Sequence, residues 1–263
     1  MTPRAIWSSH PRGDAWPGRV RRRRPAIACL ALGVALVASG TRADERAGGE
    51  PGPPFAVQGA CEGGAAEAAA RRVQLRYDGI RDISADFVQT SESATFGGDP
   101  LMSAEPRRGR VVLAKPGRMR WTYETPEPSE VVSDGQTLWI HDVEARSVTR
   151  LAVTEGYLTG AALQFLMGEG RILEAFDVEA RACQPDRVHL VLRPRDDASY
   201  EHLELVATRE GDVLATSVAD LFGNVTWIRF EGVRVNLDPA AEVFVLRPPD
   251  GVEVIEYVPG EAP

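Results

Sequence analysis

The chain of 263 residues carries 30 Lys and Arg against 38 Asp and Glu, and eight of the basic residues fall within its first 43 positions. The remaining 220 residues hold 22 basic side chains against 37 acidic ones, a net charge near −15. A surface of that sign repels phosphate backbones and anionic headgroups, which makes nucleic acid and anionic membrane surfaces poor partners. The length suits one β-barrel or sandwich as well as two small domains.

Arg19 and Arg21 to Arg24 precede the apolar run PAIACLALGVALVASG, Pro25 to Gly40, which is followed by small residues at Thr41 and Ala43. A charged segment, an apolar segment and a small-residue site in that order predict a signal peptide over 1–43, cleaved near Ala43. The competing reading, a membrane anchor, needs about 20 apolar residues, and Ala26 to Ala38 falls short of that. Cys29 sits too early in the run to be a lipidation site and reads as part of it. Export leaves Cys61 and Cys183 in an oxidising compartment, where a disulfide between them is expected and two free thiols are the alternative.

Residues 44–60, DERAGGEPGPPFAVQGA, are rich in Gly, Pro and charge and predict a flexible leader. A single domain is expected over 61–263. Within Glu62 to Ile80, the residues Val73, Tyr77 and Ile80 fall at i, i+4 and i+7, the stripe of an amphipathic helix. Strand-like runs follow at 83–91, 107–115, 118–124, 129–134, 137–141 and 146–152, separated by Pro-Gly, Pro-x-Pro and Asp-Gly turns. Glu155 to Phe176 has a helical texture instead, with Leu163, Phe165, Leu166 and Met167 between glycine stops. Further runs at 176–182, 187–193, 200–207, 213–220 and 224–231 bring the total to about eleven. Strands in sequential order make an antiparallel sheet that curls or closes, with the helical segments to plug or lid it.

In the run from Arg110 to Tyr123, the odd positions Val111, Leu113, Met119, Trp121 and Tyr123 are large, whereas Arg110, Arg118, Arg120 and Thr122 occupy even ones. One face is therefore apolar and the other is expected to be wet. Eleven strands curl around more space than an eight-stranded barrel can fill with side chains, which leaves a cavity unless helices occupy it.

Catalytic patterns do not oppose this reading. There is no G-x-S-x-G, and His10, His141, His189 and His202 are dispersed without metal-ligand spacing. The last three read as surface or sheet-edge residues, and RDDAS at 195–199 as a solvated turn. Glu174 and Asp177 are an acid pair on a charged surface, better explained by solvation than by catalysis. No enzyme activity, metal or cofactor is expected.

Several stretches resemble the LolA-type periplasmic lipoprotein carriers: SADFVQT at 84–90, GRVVLAKPGRMRWTYETPEPSEVVSDGQTLWIHD at 109–142 and FVLRPPDGVEVIE at 244–256. GAALQFLMGEG at 160–170 looks like the family's lid helices, and ATSVADLFGNVTWIRFEGVRVN at 215–236 like its late hairpin. The resemblance spans about 62–256. It implies an unclosed barrel of about eleven strands whose helical lid covers an apolar cavity for acyl chains. Such a carrier is a periplasmic monomer that takes lipoproteins from an inner-membrane ABC-type release complex and passes them toward the outer membrane, with an outer-membrane acceptor lipoprotein as a further partner. Ligand-binding positions are then Phe87, Val111, Leu113, Met119, Trp121 and Val131 on the sheet and Leu163, Phe165 and Leu166 on the lid; ordinary sheet core is the competing reading for Phe87 and Trp121. Familiar members carry an Arg before the motif proline that latches the lid, where this chain has Lys115, its one lysine beside 29 arginines. An ammonium makes fewer and less directional bonds, so a plain strand-end lysine is an equal alternative there. Other functions on this fold are carriage of another lipid or glycolipid, or lipid sensing in envelope stress; a sensor calls for a second domain that the chain length does not accommodate.

Overall fold

Alanine, arginine, glutamate and leucine, all strong helix formers, fill the segment that forms α1, Ala65–Asp78. Its stripe of Ala69, Ala70, Val73 and Tyr77 is buried, and Ile80 continues the stripe just past the helix end. The computed structural model describes residues 57–93, 105–153 and 170–257. The expected signal peptide and the segment expected to form a lid, with Leu163, Phe165 and Leu166, lie outside the described residues.

All eleven expected runs are strands: β1 Asp82–Glu92, β2 Arg107–Ala114, β3 Arg118–Thr125, β4 Ser129–Asp134, β5 Thr137–Asp142 and β6 Ser147–Ala152, then β7 Phe176–Cys183, β8 Arg187–Pro194, β9 Tyr200–Thr208, β10 Val213–Asp220 and β11 Val225–Val235. A single turn, α2 (Ile172–Ala175), precedes β7, and a 3₁₀ turn, Ala241–Phe244, follows β11. A twelfth strand, β12 (Glu253–Glu256), runs parallel to β6. The sheet order is β12-β6-β5-β4-β3-β2-β1-β11-β10-β9-β8-β7. The chain is thus two meanders joined by β1 and β11, which pair antiparallel from Ile83 opposite Val235 to Glu92 opposite Val225. Purely sequential pairing would have put β7 beside β6; instead β12 and β7 form the two free edges and the sheet is unclosed. One buried cluster nevertheless contains Leu151 of β6 and Leu190 of β8, from nearly opposite ends of that order. Only a curled sheet brings them together.

The outer face is not wet throughout. Over β4 to β6, Val132 and Val148 are buried beneath Leu246, with Trp139 and Val252 packed against them. Arg120 holds this C-terminal cover in place, donating from Nε to Val243 O at 2.7 Å and from Nη2 to Val245 O at 3.0 Å, while Nη1 pairs with Glu130 at 2.6 Å. Arg118 lies over the Phe244 ring, 5.1 Å from its centroid. Arg118 and Arg120 therefore bind a second layer of chain and do not merely face water, whereas Arg110 pairs with Glu124 on the exposed surface.

On the other half of the outer face the histidine expectation fails. His189 is buried, its Nε2 2.6 Å from Glu204 Oε2 and its ring 6.1 Å from that of Trp227; His141, on β5 in the first half, is also buried. His202 Nε2 lies 3.3 Å from Glu204 Oε1, and Arg181 Nη1 donates to that oxygen at 2.5 Å. Burial alone would raise the Glu204 pKa, but the hydrogen bonds and charges of His189 and Arg181 outweigh it and hold the carboxyl below the ordinary glutamate value. Glu174 and Asp177 pair with Arg171 and Arg195 on the exposed surface.

Cys61 and Cys183 are joined by a disulfide. The chain before the bridge is already packed at Val57, which is buried against Ala182, Val206 and Ala215, and the Cys183 amide donates to Gly59 O at 3.1 Å. Gly59 has φ 135°, and a Cβ there would sit 2.4 Å from Cys183 O. The approach requires glycine.

Replacing both cysteines by serine should lower stability by about 4 kcal/mol, because the bridge constrains a long unfolded loop. Urea denaturation checks this, and an unchanged midpoint would show that the Val57 contacts alone dock the segment. For Glu204 the sign follows from its depressed pKa. The stability it supplies is complete above the ordinary glutamate range and is lost as pH falls through the folded value. Glu204→Gln should accordingly flatten the loss of stability as pH falls from neutral through the ordinary glutamate range and below it. The same denaturation series run across that range would detect no flattening if the buried pairs contribute nothing.

Candidate functional site

Strand parity assembles the inner face row by row. Ile83, Leu113, Met119, Ser133, Leu138 and Leu151 are successive cross-strand partners from β1 to β6. The next row is Ala85, Val111, Trp121, Val131, Ile140 and Thr149. Phe230, Phe87, Gly109, Tyr123 and Ser129 make the third, and Ile228, Gln89 and Arg107 the fourth. Six of the residues singled out from the sequence, Phe87, Val111, Leu113, Met119, Trp121 and Val131, thus lie together on one buried surface.

Gly109 organises the aromatic part of that surface. It lies between Phe87 and Tyr123, and a Cβ there would sit 1.9 Å from Thr122 O. With no side chain between them, the Phe87 ring meets Tyr123 edge-to-face at 5.1 Å and Trp121 at 5.0 Å. Phe230 approaches Trp121 from β11 at 6.5 Å. Beside these rings Met119 supplies a flexible, polarisable side chain that adapts to irregular shapes.

Polarity rises along the strands toward the Arg107 end. Tyr123 Oη donates to Gln89 Oε1 at 3.0 Å, and both residues are buried. Arg107 lies over the Tyr123 ring, 4.0 Å from its centroid, and its Nη2 donates to Ser129 Oγ at 3.0 Å. Burial pushes the Tyr123 hydroxyl up to about 12, so it stays a neutral donor. The sequence reading passed over Gln89 and Arg107. Both share the parity of the apolar positions, Gln89 two residues from Phe87 and Arg107 two from Gly109, and that parity is the signal that finds them.

Lys115 stands at the opposite end. Its Nζ donates to Tyr77 O at 2.5 Å and its amide to Arg81 O at 2.9 Å. A cation at the carbonyl end of α1 meets unsatisfied oxygens and the negative end of the helix dipole. Burial lowers the Lys115 pKa, with Asp78 opposing. Among the described residues Lys115 therefore ties the strand end to α1; the segment it would latch as a lid lies outside them.

Among the described residues no cluster of His, Cys, Asp or Glu is arranged to hold a metal ion, and no helix is long and apolar enough to cross a membrane. What the geometry presents is an aromatic and aliphatic surface wrapped by an open sheet, the arrangement of the half-open β-barrels that enclose apolar ligands. The sequence family described as outer membrane lipoprotein carrier protein LolA matches residues 78–247. Relatives named outer-membrane lipoprotein carrier protein include those of Alkalilimnicola ehrlichii, 31% identical with 73% of this chain and 86% of the relative covered, and Halorhodospira halophila, 32% identical with 74% and 90% covered. A third, from Chromobacterium violaceum, is 30% identical over 71% of this chain and 87% of its own. The chain belongs to the LolA family.

Because the space beside Gly109 is closed by the backbone of β3, Gly109→Ala should cost about 3 kcal/mol through overpacking and a bent ladder. Thermal and urea unfolding of the variant measure this. A loss near zero would mean that β2 and β3 separate freely at this row.

Proposed function

We propose that this protein is a periplasmic carrier that shelters the acyl chains of lipoproteins between the inner and outer membranes. It takes its cargo from an ABC-type release complex in the inner membrane and passes it to an acceptor at the outer membrane, without covalent chemistry. Residues 1–43 are its signal peptide, removed near Ala43 after export. The observation that carries this reading is the continuous inner surface of Phe87, Val111, Leu113, Met119, Trp121 and Val131 inside an unclosed sheet. The family relatives named as outer-membrane lipoprotein carrier proteins support it, and the Cys61–Cys183 disulfide is consistent with export.

The magnitudes fit carriage. Each acyl CH₂ removed from water contributes about 0.8 kcal/mol, so a long chain gains on the order of 10 kcal/mol by entering an apolar interior. Room for it is made by parting the curled halves along the unpaired edges, where no ladder of backbone hydrogen bonds between β6 and β7 has to be broken. The same absence lets the cargo leave.

Depletion of the protein in cells, followed by fractionation of the envelope, tests the route: lipoproteins should accumulate in the inner membrane, and an unchanged distribution would defeat the proposal. At the residue level, Trp121→Glu should abolish acceptance of lipoprotein, since burying an uncompensated carboxylate costs several kcal/mol. Transfer from proteoliposomes, with circular dichroism to show that the sheet persists, provides the measurement. Normal acceptance would show that Trp121 does not meet the cargo.

A further inference from the structure

Buried polar atoms without partners point to a subsite within the apolar surface. Among the described residues, the buried side-chain nitrogens and oxygens lacking a hydrogen-bond partner belong to Arg72, Arg107, Trp121, His202, Ser217 and Arg229. Two of these face the interior from adjacent strands: Nε of Arg107 on β2 and Nε1 of Trp121 on β3. Both are obligate donors. No unpaired side-chain acceptor appears in the same rows, since Gln89 Oε1 takes the Tyr123 hydroxyl and Ser129 Oγ takes Arg107 Nη2. A buried donor left without an acceptor costs free energy, and a ligand group that presents an acceptor oxygen to it removes that cost.

We propose that Arg107, with the Trp121 indole below it, forms the site that takes the ester and amide carbonyl oxygens of an acylated ligand. This rests on the carrier reading above and adds an orientation to it. The Arg107 guanidinium has no ion pair among the described residues, and it is held over the Tyr123 ring by a cation–π contact, with Nη2 fixed by Ser129. It is thus positioned before ligand arrives. Below it the rows are apolar apart from one hydroxyl in each, Thr149 beside Trp121 and Val111, and Ser133 beside Met119, Leu113 and Leu138. An acyl ester placed with its carbonyl at Arg107 sends its chain down these rows toward α1. Its glycerol or peptide side then leaves at the end where β11 begins, because Val225 pairs with Glu92 there and Gln89 pairs with Arg107. The end bearing Lys115 is occupied by the α1 carboxyl terminus and is not the exit.

The test compares a synthetic diacylglyceryl-cysteine peptide with its dialkyl-ether analogue of equal chain length, titrated into the disulfide-intact mature protein by tryptophan fluorescence and calorimetry. The ether retains the chains and loses the carbonyls. The ester should bind about tenfold tighter, the worth of a hydrogen bond to a charged donor. Arg107→Met should bring the two probes to within about twofold, and Arg107→Lys should restore part of the difference, since an ammonium still donates. A diacyl phospholipid and its ether counterpart, run in parallel, show whether the subsite reads acyl esters generally or those of lipopeptides alone; an ester preference in either pair supports the assignment. Equal binding of ester and ether by the unaltered protein overturns it while leaving carriage intact. Binding of no lipid probe at all overturns the carrier reading itself. Should Arg107→Met fail to fold, the ester-to-ether ratio of the unaltered protein decides the matter alone.

Discussion

The ladder between β1 and β11 joins the first strand after the helix to the last long strand before the C-terminal cover. Each of the two meanders it links exposes one apolar face, and neither could bury that face alone. Joined back to back in one sheet, they curl until Leu151 and Leu190 share a core. The joint sits in the middle of the sheet order, so the two edges that remain are β7, the outer strand of one meander, and β12, which lies against β6, the outer strand of the other. The opening of the barrel is therefore a consequence of where the chain chose to pair with itself. Phe87 on β1 lies beside that joint, with Phe230 opposite it on β11 and Trp121 within ring contact.

Inner and outer faces divide the labour by parity. Inner positions carry the rings and aliphatic chains, whereas outer positions recruit cover. Arg118 and Arg120 hold the segment around Phe244 through a ring contact and two carbonyls, and Val57 seals Ala182, Val206 and Ala215 near the disulfide. A sheet clad in this way on its convex side is stiff where it must keep its shape. Along its unpaired edges it has no such restraint.

Much of this was legible in the sequence because half-buried strands advertise themselves by alternation. Val111, Leu113, Met119, Trp121 and Tyr123 share parity, and all are buried. The helix stripe was equally plain at Val73 and Tyr77. β12 was not legible, since all four of its residues are exposed and no alternation marks them. The β1–β11 joint was hidden for another reason: nothing local in SADFVQT specifies a partner so far along the chain. His189 misled because a titratable residue at an outer position normally signals solvent. Val206, apolar at the parity of Glu204, was the counter-signal that this face is covered too. Arg107 was overlooked by similar logic, being a cation on the apolar side of its strand.

β12 has a consequence for how the molecule behaves among copies of itself. An exposed strand edge invites another strand to dock, whether from a neighbouring molecule or from the far side of the same sheet. By lying parallel along β6, from Glu253 beside Ser147 to Glu256 beside Arg150, the C-terminal strand occupies that edge with a short, charged segment, and Arg150 clasps Glu256 at 2.9 Å. β6 is then no longer free to zip onto β7. The seam is kept from healing, and the edge left outermost among the described residues is a strand of four exposed residues bounded by Glu253 and Glu256, a poor template for a neighbouring sheet.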